Sequence, residues 1–252
     1  MASTSAPKII LYTNHRCPWA HRAHIALAEL GLEYTEEIID LSTPRTAEYL
    51  KINPRGLVPS ISYNGEIITE SAIVSKFLAD AHPSHLVKTS SEPGGALQRA
   101  RIDFFVDAFF SKVNGAFYAL LKAEGAEKEK LGDAYVQNVV KELEPYLQDA
   151  APFFGGSKQL TLVEVLTGSF LLRILGLAKP EYKELNLLPS SMLDGLEAKA
   201  PAFWKWANAT VAEKSVNFIW DEKLLQSDAH LPRSSNGGII VVWMMSHQLS
   251  TS

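Results

Sequence analysis

The spacing of apolar residues changes period along the chain. Lys8 to Tyr12 is a short run rich in β-branched residues, which predicts a strand, and Pro18 to Leu30 carries Ala20, Ala23, Leu27 and Leu30 at helical spacing. Gly31 stands where a left-handed C-cap belongs. Leu32 to Leu41, with Tyr34, Ile38 and Ile39, predicts a second strand, and Thr43-Pro44 opens a short helix through Tyr49 and Leu50. Asn53-Pro54-Arg55-Gly56 breaks the pattern. Val58 to Tyr63 then resumes as a strand, turns at Asn64-Gly65, where both residues tolerate positive φ, and returns over Glu66 to Thr69. Glu70-Ser71 opens a helix through about Ala81.

A parallel βαβ unit followed by a hairpin and a helix is the thioredoxin-like plan. From His82 to Gly95 the composition shifts to Pro, Ser, Gly and Thr, a linker signature, and beyond it strand signals largely vanish. Leu97 to Ala123 reads as one long helix, Tyr135 to Gln148 as another that Pro145 should kink or end, and Leu162 to Leu177 as a third. Ser191 to Ala212 reads as two more, broken at Pro201, and Thr161 to Glu164 has capping-box spacing. The fold expected is α/β followed by all-α: a thioredoxin-like domain over residues 1–82, a linker over 83–95 and an all-helical domain over 96–225. Residues 226–252 mix Pro, Ser and Gly with an apolar block, Ile239 to Met245. They read as a flexible tail, or as a segment that folds over the domain or contacts a partner.

A hydrophobic fraction of 46% over 252 residues supports a full core, and a net charge of -4 without any basic stripe gives no reason to expect nucleic acid. The single cysteine excludes an internal disulfide. Met1 to Pro7 is short and polar, unlike a secretory signal, and no stretch is expected to span a membrane, Gly238 to Met245 being too short. A cytoplasmic protein is the default expectation.

That cysteine, Cys17, falls between a strand, a polar loop and Pro18, which suits the first position of a helix. Free amides and the positive end of the helix dipole favour an anion there, and His15, Arg16, His21 and Arg22 crowd the same end. The expectation is a thiol pushed toward thiolate, the nucleophilic form, with His21 one turn away to tune it. Ser71, at the start of its helix, offers free amides and a hydroxyl to a carboxylate. His21 and His24 share helical spacing with each other but not with His15, and no second cluster of Cys, Asp or Glu at ligand spacing supports them, so no metal site is expected.

Cys17-Pro18-Trp19-Ala20 resembles the Cys-Pro-Phe/Trp-Ala segment of omega-like glutathione transferases and of the related lambda and dehydroascorbate-reductase-like classes. Asn53 to Pro59 and Ile68 to Ile73 resemble the rest of the glutathione-binding half of that family. The resemblance implies glutathione as co-substrate and Cys17 at its sulfur. It places Glu70 and Ser71 at the γ-glutamyl end, and Val58 before a cis Pro59 at the cysteinyl part. Arg45 falls where a basic residue would meet the glycine carboxylate, and reads equally well as a solvated arginine. Of the aromatic residues on the long helix, Phe109 and Phe110 are candidates for lining an apolar pocket that Trp220 closes. The activity implied is transfer to or from an apolar electrophilic small molecule, by thiol transfer, deglutathionylation or conjugation. Cis-trans isomerisation of a conjugated double bond by reversible thiol addition stays open, as does a non-catalytic interaction module. The family resemblance also implies a homodimer.

Overall fold

The computed structural model describes residues 6–221; the tail expected over 226–252 lies outside them. Four strands form one sheet in the order β2-β1-β3-β4. β1 (Ile9–Thr13) and β2 (Thr35–Ile38) run parallel with Leu11 opposite Glu36, joined by α1 (Pro18–Glu29). β3 (Ser60–Tyr63) lies antiparallel to β1, and β4 (Glu66–Thr69) antiparallel to β3. Asn64 and Gly65 have φ of 52° and 95°, the positive pair that a two-residue hairpin loop needs for its twist to match the strands. Leu11 and Ile61, opposite one another in the sheet, are buried in one core with Ile25 and Leu27 of α1 and with Val74 and Leu78 of α3 (Ser71–Ala81).

α2 (Ala47–Ile52) starts later than its sequence predicts. Its cap is Thr46, whose side chain accepts from Tyr49 N, while Arg45 stays in the loop, held by the carbonyls of Asp40, Thr43 and Gly56.

The helical region begins with α4 (Gly95–Ala108), a π-helical segment (Phe109–Asn114) and α5 (Gly115–Lys122). The π segment re-phases the helix, which resolves how so many aromatic residues share it: Phe105, Phe109 and Phe117 all reach the core. By length and composition alone, Gly95–Lys122 matches a membrane-spanning helix, which the sequence reading did not single out, but half of its most apolar window is buried inside the protein. α6 (Gly125–Glu142) begins well before the predicted Tyr135. Its first turns lack apolar periodicity and are held instead by the buried Lys128, which donates to the Asn186 and Leu187 carbonyls, and by Gly132, where a Cβ would come within 2.7 Å of Pro189. Pro145 ends this helix as expected, and the Glu144 carboxylate accepts from the amides of Ala202 and Phe203 at the start of α9 (Pro201–Ala212).

Every residue of α7 (Leu162–Leu177) is buried. The Thr161–Glu164 capping box is present, and the buried Glu164 carboxylate also accepts from Phe154 N at 2.8 Å and Trp206 Nε1 at 2.5 Å. α8 (Ser191–Lys199) and a short α10 (Lys214–Asn217) complete the described helices. α7 also joins the helices to the sheet side: Ser169 Oγ donates to Pro18 O at 2.8 Å, Arg22 Nε to Leu166 O at 2.7 Å and Leu162 N to Leu86 O at 2.9 Å.

Candidate active site

The loop after β1 is shaped by Asn14, whose side chain donates to Ile39 O and accepts from Arg16 N. Cys17 N then donates to Asn14 O at 3.0 Å, which sets Cys17 as the N-cap of α1 with Pro18 behind it. On the facing side, Asn53 and Tyr49 both donate to Leu57 O, folding Asn53 to Gly56 into a turn that presents Val58. Val58-Pro59 is cis, as the resemblance implies. Cys17 Sγ lies 4.0 Å from Val58 O, in a small cluster with Tyr12, Ala20 and Tyr49.

The thiol has no exposed surface. Burial pushes its pKa up and outweighs the amides of Ala20 and Trp19 and then the charges of Arg173 and Arg22, all of which pull it down. The expectation of a thiol held toward thiolate is therefore corrected. Two of the four cations counted from sequence are not the ones that act: His15 is turned to Glu36 at 2.9 Å, and burial holds His21 neutral, well below the ordinary imidazole range.

Arg22 connects the two sequence motifs. Its Nη1 donates to Ser71 Oγ at 3.1 Å, and its guanidinium lies over Phe110 at 4.2 Å, Trp19 at 4.6 Å and Phe170 at 5.2 Å. Three ring faces and two oxygen acceptors hold a cation in a place that burial disfavours, its pKa being lowered to about 9. Ser71 is the first residue of α3. Glu70, before it, has φ 69° and ψ 116°, uncommon for a residue with a Cβ, and pairs with Arg55 at 2.6 Å. Arg45 spends its donors on loop carbonyls, from Nε to Gly56 at 2.8 Å and from Nη1 to Thr43 at 2.7 Å and Asp40 at 2.9 Å. It acts as a staple of that loop.

Of the pocket candidates, Phe109 is wholly buried in the core. Phe110 is half-buried and occupied by Arg22. Trp220 lines a cavity of about 280 Å³ with Leu172, Leu175, Lys179 and Val211, and its ring lies 4.8 Å from the Arg173 guanidinium. Arg173 and Tyr118 are the functional candidates that sequence reasoning missed. Arg173 Nη2 donates to Arg16 O at 2.8 Å, beside Cys17, and the buried Tyr118 hydroxyl has its pKa pushed up to about 12 by burial and by Cys17. A lone arginine inside the apolar run Leu171 to Leu175 was the available signal.

A strand-end cysteine at a helix N-terminus, a cis-proline loop facing it and a serine-led helix beyond belong to a thioredoxin-like region joined to a helical one. Residues 16–81 match the family described as Glutathione S-transferase, N-terminal domain. Glutathione S-transferase U22 of Arabidopsis thaliana is 30% identical over 154 residues, covering 60% of this chain and 67% of that protein. A probable maleylacetoacetate isomerase of Caenorhabditis elegans is 34% identical over 82 residues, 32% of this chain and 37% of that one. The crystal structure of glutathione transferase Omega 2C from Trametes versicolor superposes with a TM-score of 0.72 at 26% identity, covering 88% of this chain and 97% of that one. The chain belongs to the glutathione transferase family and is omega-like within it. That family takes glutathione as co-substrate.

Proposed function

We propose that the protein is a glutathione-dependent thiol transferase acting on an apolar electrophilic small molecule, with Cys17 as the nucleophile. The observation that carries this reading is the position of Cys17 Sγ at the head of α1, 4.0 Å from the Val58 carbonyl and under the influence of Arg173 and Arg22. The amides leading α3, with Ser71 and Glu70, would take the γ-glutamyl carboxylate, and the Val58 backbone the cysteinyl amide. Deprotonated Cys17 attacks the glutathione sulfur of a mixed disulfide, and the bond to the other sulfur breaks, releasing that group as a thiolate. A second glutathione thiolate then attacks the new disulfide, releasing Cys17 and oxidised glutathione. Both steps place negative charge beside the two arginines, where a buried cation stabilises it most.

The second reading is isomerisation of a conjugated olefin, in which the glutathione thiolate adds reversibly and Cys17 only adjoins it. The identity to a probable maleylacetoacetate isomerase and the raised thiol pKa favour it. Exposed Ile67, Ile73, Leu97 and Phe104, from β4, α3 and α4, would give a second copy an apolar face, which supports a homodimer. A cytoplasmic setting accords with this chemistry, which needs reduced glutathione.

Intact-mass analysis after exposure to oxidised glutathione separates the readings. A single glutathionyl adduct, absent from Cys17→Ser and released by reduced glutathione, is expected for thiol transfer. No adduct in a protein that still binds reduced glutathione would remove it and leave conjugation or isomerisation by the glutathione thiol.

A further inference from the structure

Away from the Cys17–Val58 contact, three metal-ligating side chains converge from three elements. His15 comes from the loop after β1, His24 from α1 and Glu36 from β2. Parallel pairing sets Glu36 opposite Leu11, so its carboxylate lies alongside the strand whose end leads into the His15 loop. His15 Nε2 stands 2.9 Å from Glu36 Oε2 and His24 Nδ1 stands 3.3 Å from Glu36 Oε1. The ligand atoms of all three residues lie within 4.8 Å of one another.

We propose that His15, His24 and Glu36 bind a borderline divalent transition-metal ion, Zn(II) being the type, with water completing the coordination. A tetrahedral zinc with nitrogen and oxygen ligands at about 2.0–2.2 Å holds its ligand atoms about 3.3 Å apart. Closing the cluster to that size requires rotation only of His15 and Glu36, which are partly exposed, while the wholly buried His24 stays where it is. His24 is also fixed as a ligand should be. Its other nitrogen, Nε2, lies 2.8 Å from Thr13 Oγ1, so a proton on Nε2 donated to that hydroxyl leaves the Nδ1 lone pair facing the cluster. The Tyr34 hydroxyl, 3.1 Å from Nδ1, would give up that contact to the ion and stands ready to hydrogen-bond a coordinated water. The Phe218 ring stands edge to face with the His24 ring at 6.1 Å, and the partly exposed His15 and Glu36 provide a path from solvent. Two imidazoles and one carboxylate select zinc, cobalt or nickel over magnesium and calcium, which want oxygen ligands. Helical spacing could not reveal this set, because the carboxylate arrives across a strand pair.

The test uses the full chain, stripped of metal and carrying Cys17→Ser so that no thiol competes. Equilibrium dialysis against Zn(II) is expected to give one ion per chain, and Co(II) a visible absorption band of a tetrahedral site. His15→Ala and Glu36→Gln change exposed side chains, so the far-UV spectrum should hold while affinity falls by about tenfold or more in each. His85→Ala, which breaks a similar His–Glu pair with Glu29, and His230→Ala with His247→Ala should leave binding unchanged. Failure of the chain to retain zinc, or unchanged affinity in both His15→Ala and Glu36→Gln, would overturn the site.

Discussion

At Cys17 two electrostatic effects of opposite sign meet. Loss of water around a fully buried sulfur disfavours the thiolate, while amides and two buried arginines favour it, and burial prevails. The thiol therefore titrates above its ordinary value of 9.0, and its alkylation by iodoacetamide is expected to keep accelerating as the pH rises past that point. The unfolded chain loses this proton first, so the same residue lowers folding stability as pH climbs through that range. Arg173→Gln should move the reactivity midpoint higher still, because a cation is taken from beside a buried anion. A rate that levels off near or below about pH 8 in the parent protein would contradict this balance. Cys17 itself was legible in the sequence from its strand, loop and proline. Its cations were not, since Arg173 lies far away along the chain and reaches the site only because α7 packs against α1.

Among the elements, α3 shows how a site departs from the conformation its residues prefer. Glu70 holds φ 69° to launch the helix at Ser71, at a cost of about 1–3 kcal/mol for a residue with a side chain. Its exposed pair with Arg55 returns only about 0–1 kcal/mol. Glu70→Gly is accordingly expected to raise thermal stability while weakening glutathione binding, measured by melting and by calorimetric titration on one preparation. A variant that melts lower than the parent would show that Glu70 stabilises α3 rather than straining it. Elements with strong local signals, such as the Asn64-Gly65 hairpin and the Thr161–Glu164 cap, stand where the sequence puts them. The first turns of α6 and the π segment do not announce themselves, because a buried lysine, a glycine against Pro189 and a re-phased aromatic face are tertiary solutions.

Across the whole molecule, α7 is the shared wall. It is buried along its full length and receives or makes hydrogen bonds with Pro18, Arg22, Leu86 and Arg16. Sheet side and helical side should therefore unfold together, with tryptophan fluorescence and far-UV circular dichroism giving coincident denaturation curves. Two separated transitions would show that these contacts are too weak to couple the halves.

The sequence by itself determined the order of strands and helices, the hairpin, the Thr161–Glu164 cap, the cysteine at a helix mouth and the family to which these belong. All of these depend on neighbours within a few residues, or on motifs that stay contiguous. Only the tertiary structure decided the ionisation of Cys17, the partners of Arg22 and Arg173, the burial of Phe109 and the meeting of His15, His24 and Glu36. Each of those depends on which surfaces leave water and which distant groups arrive in their place, and no local pattern of residues carries that information.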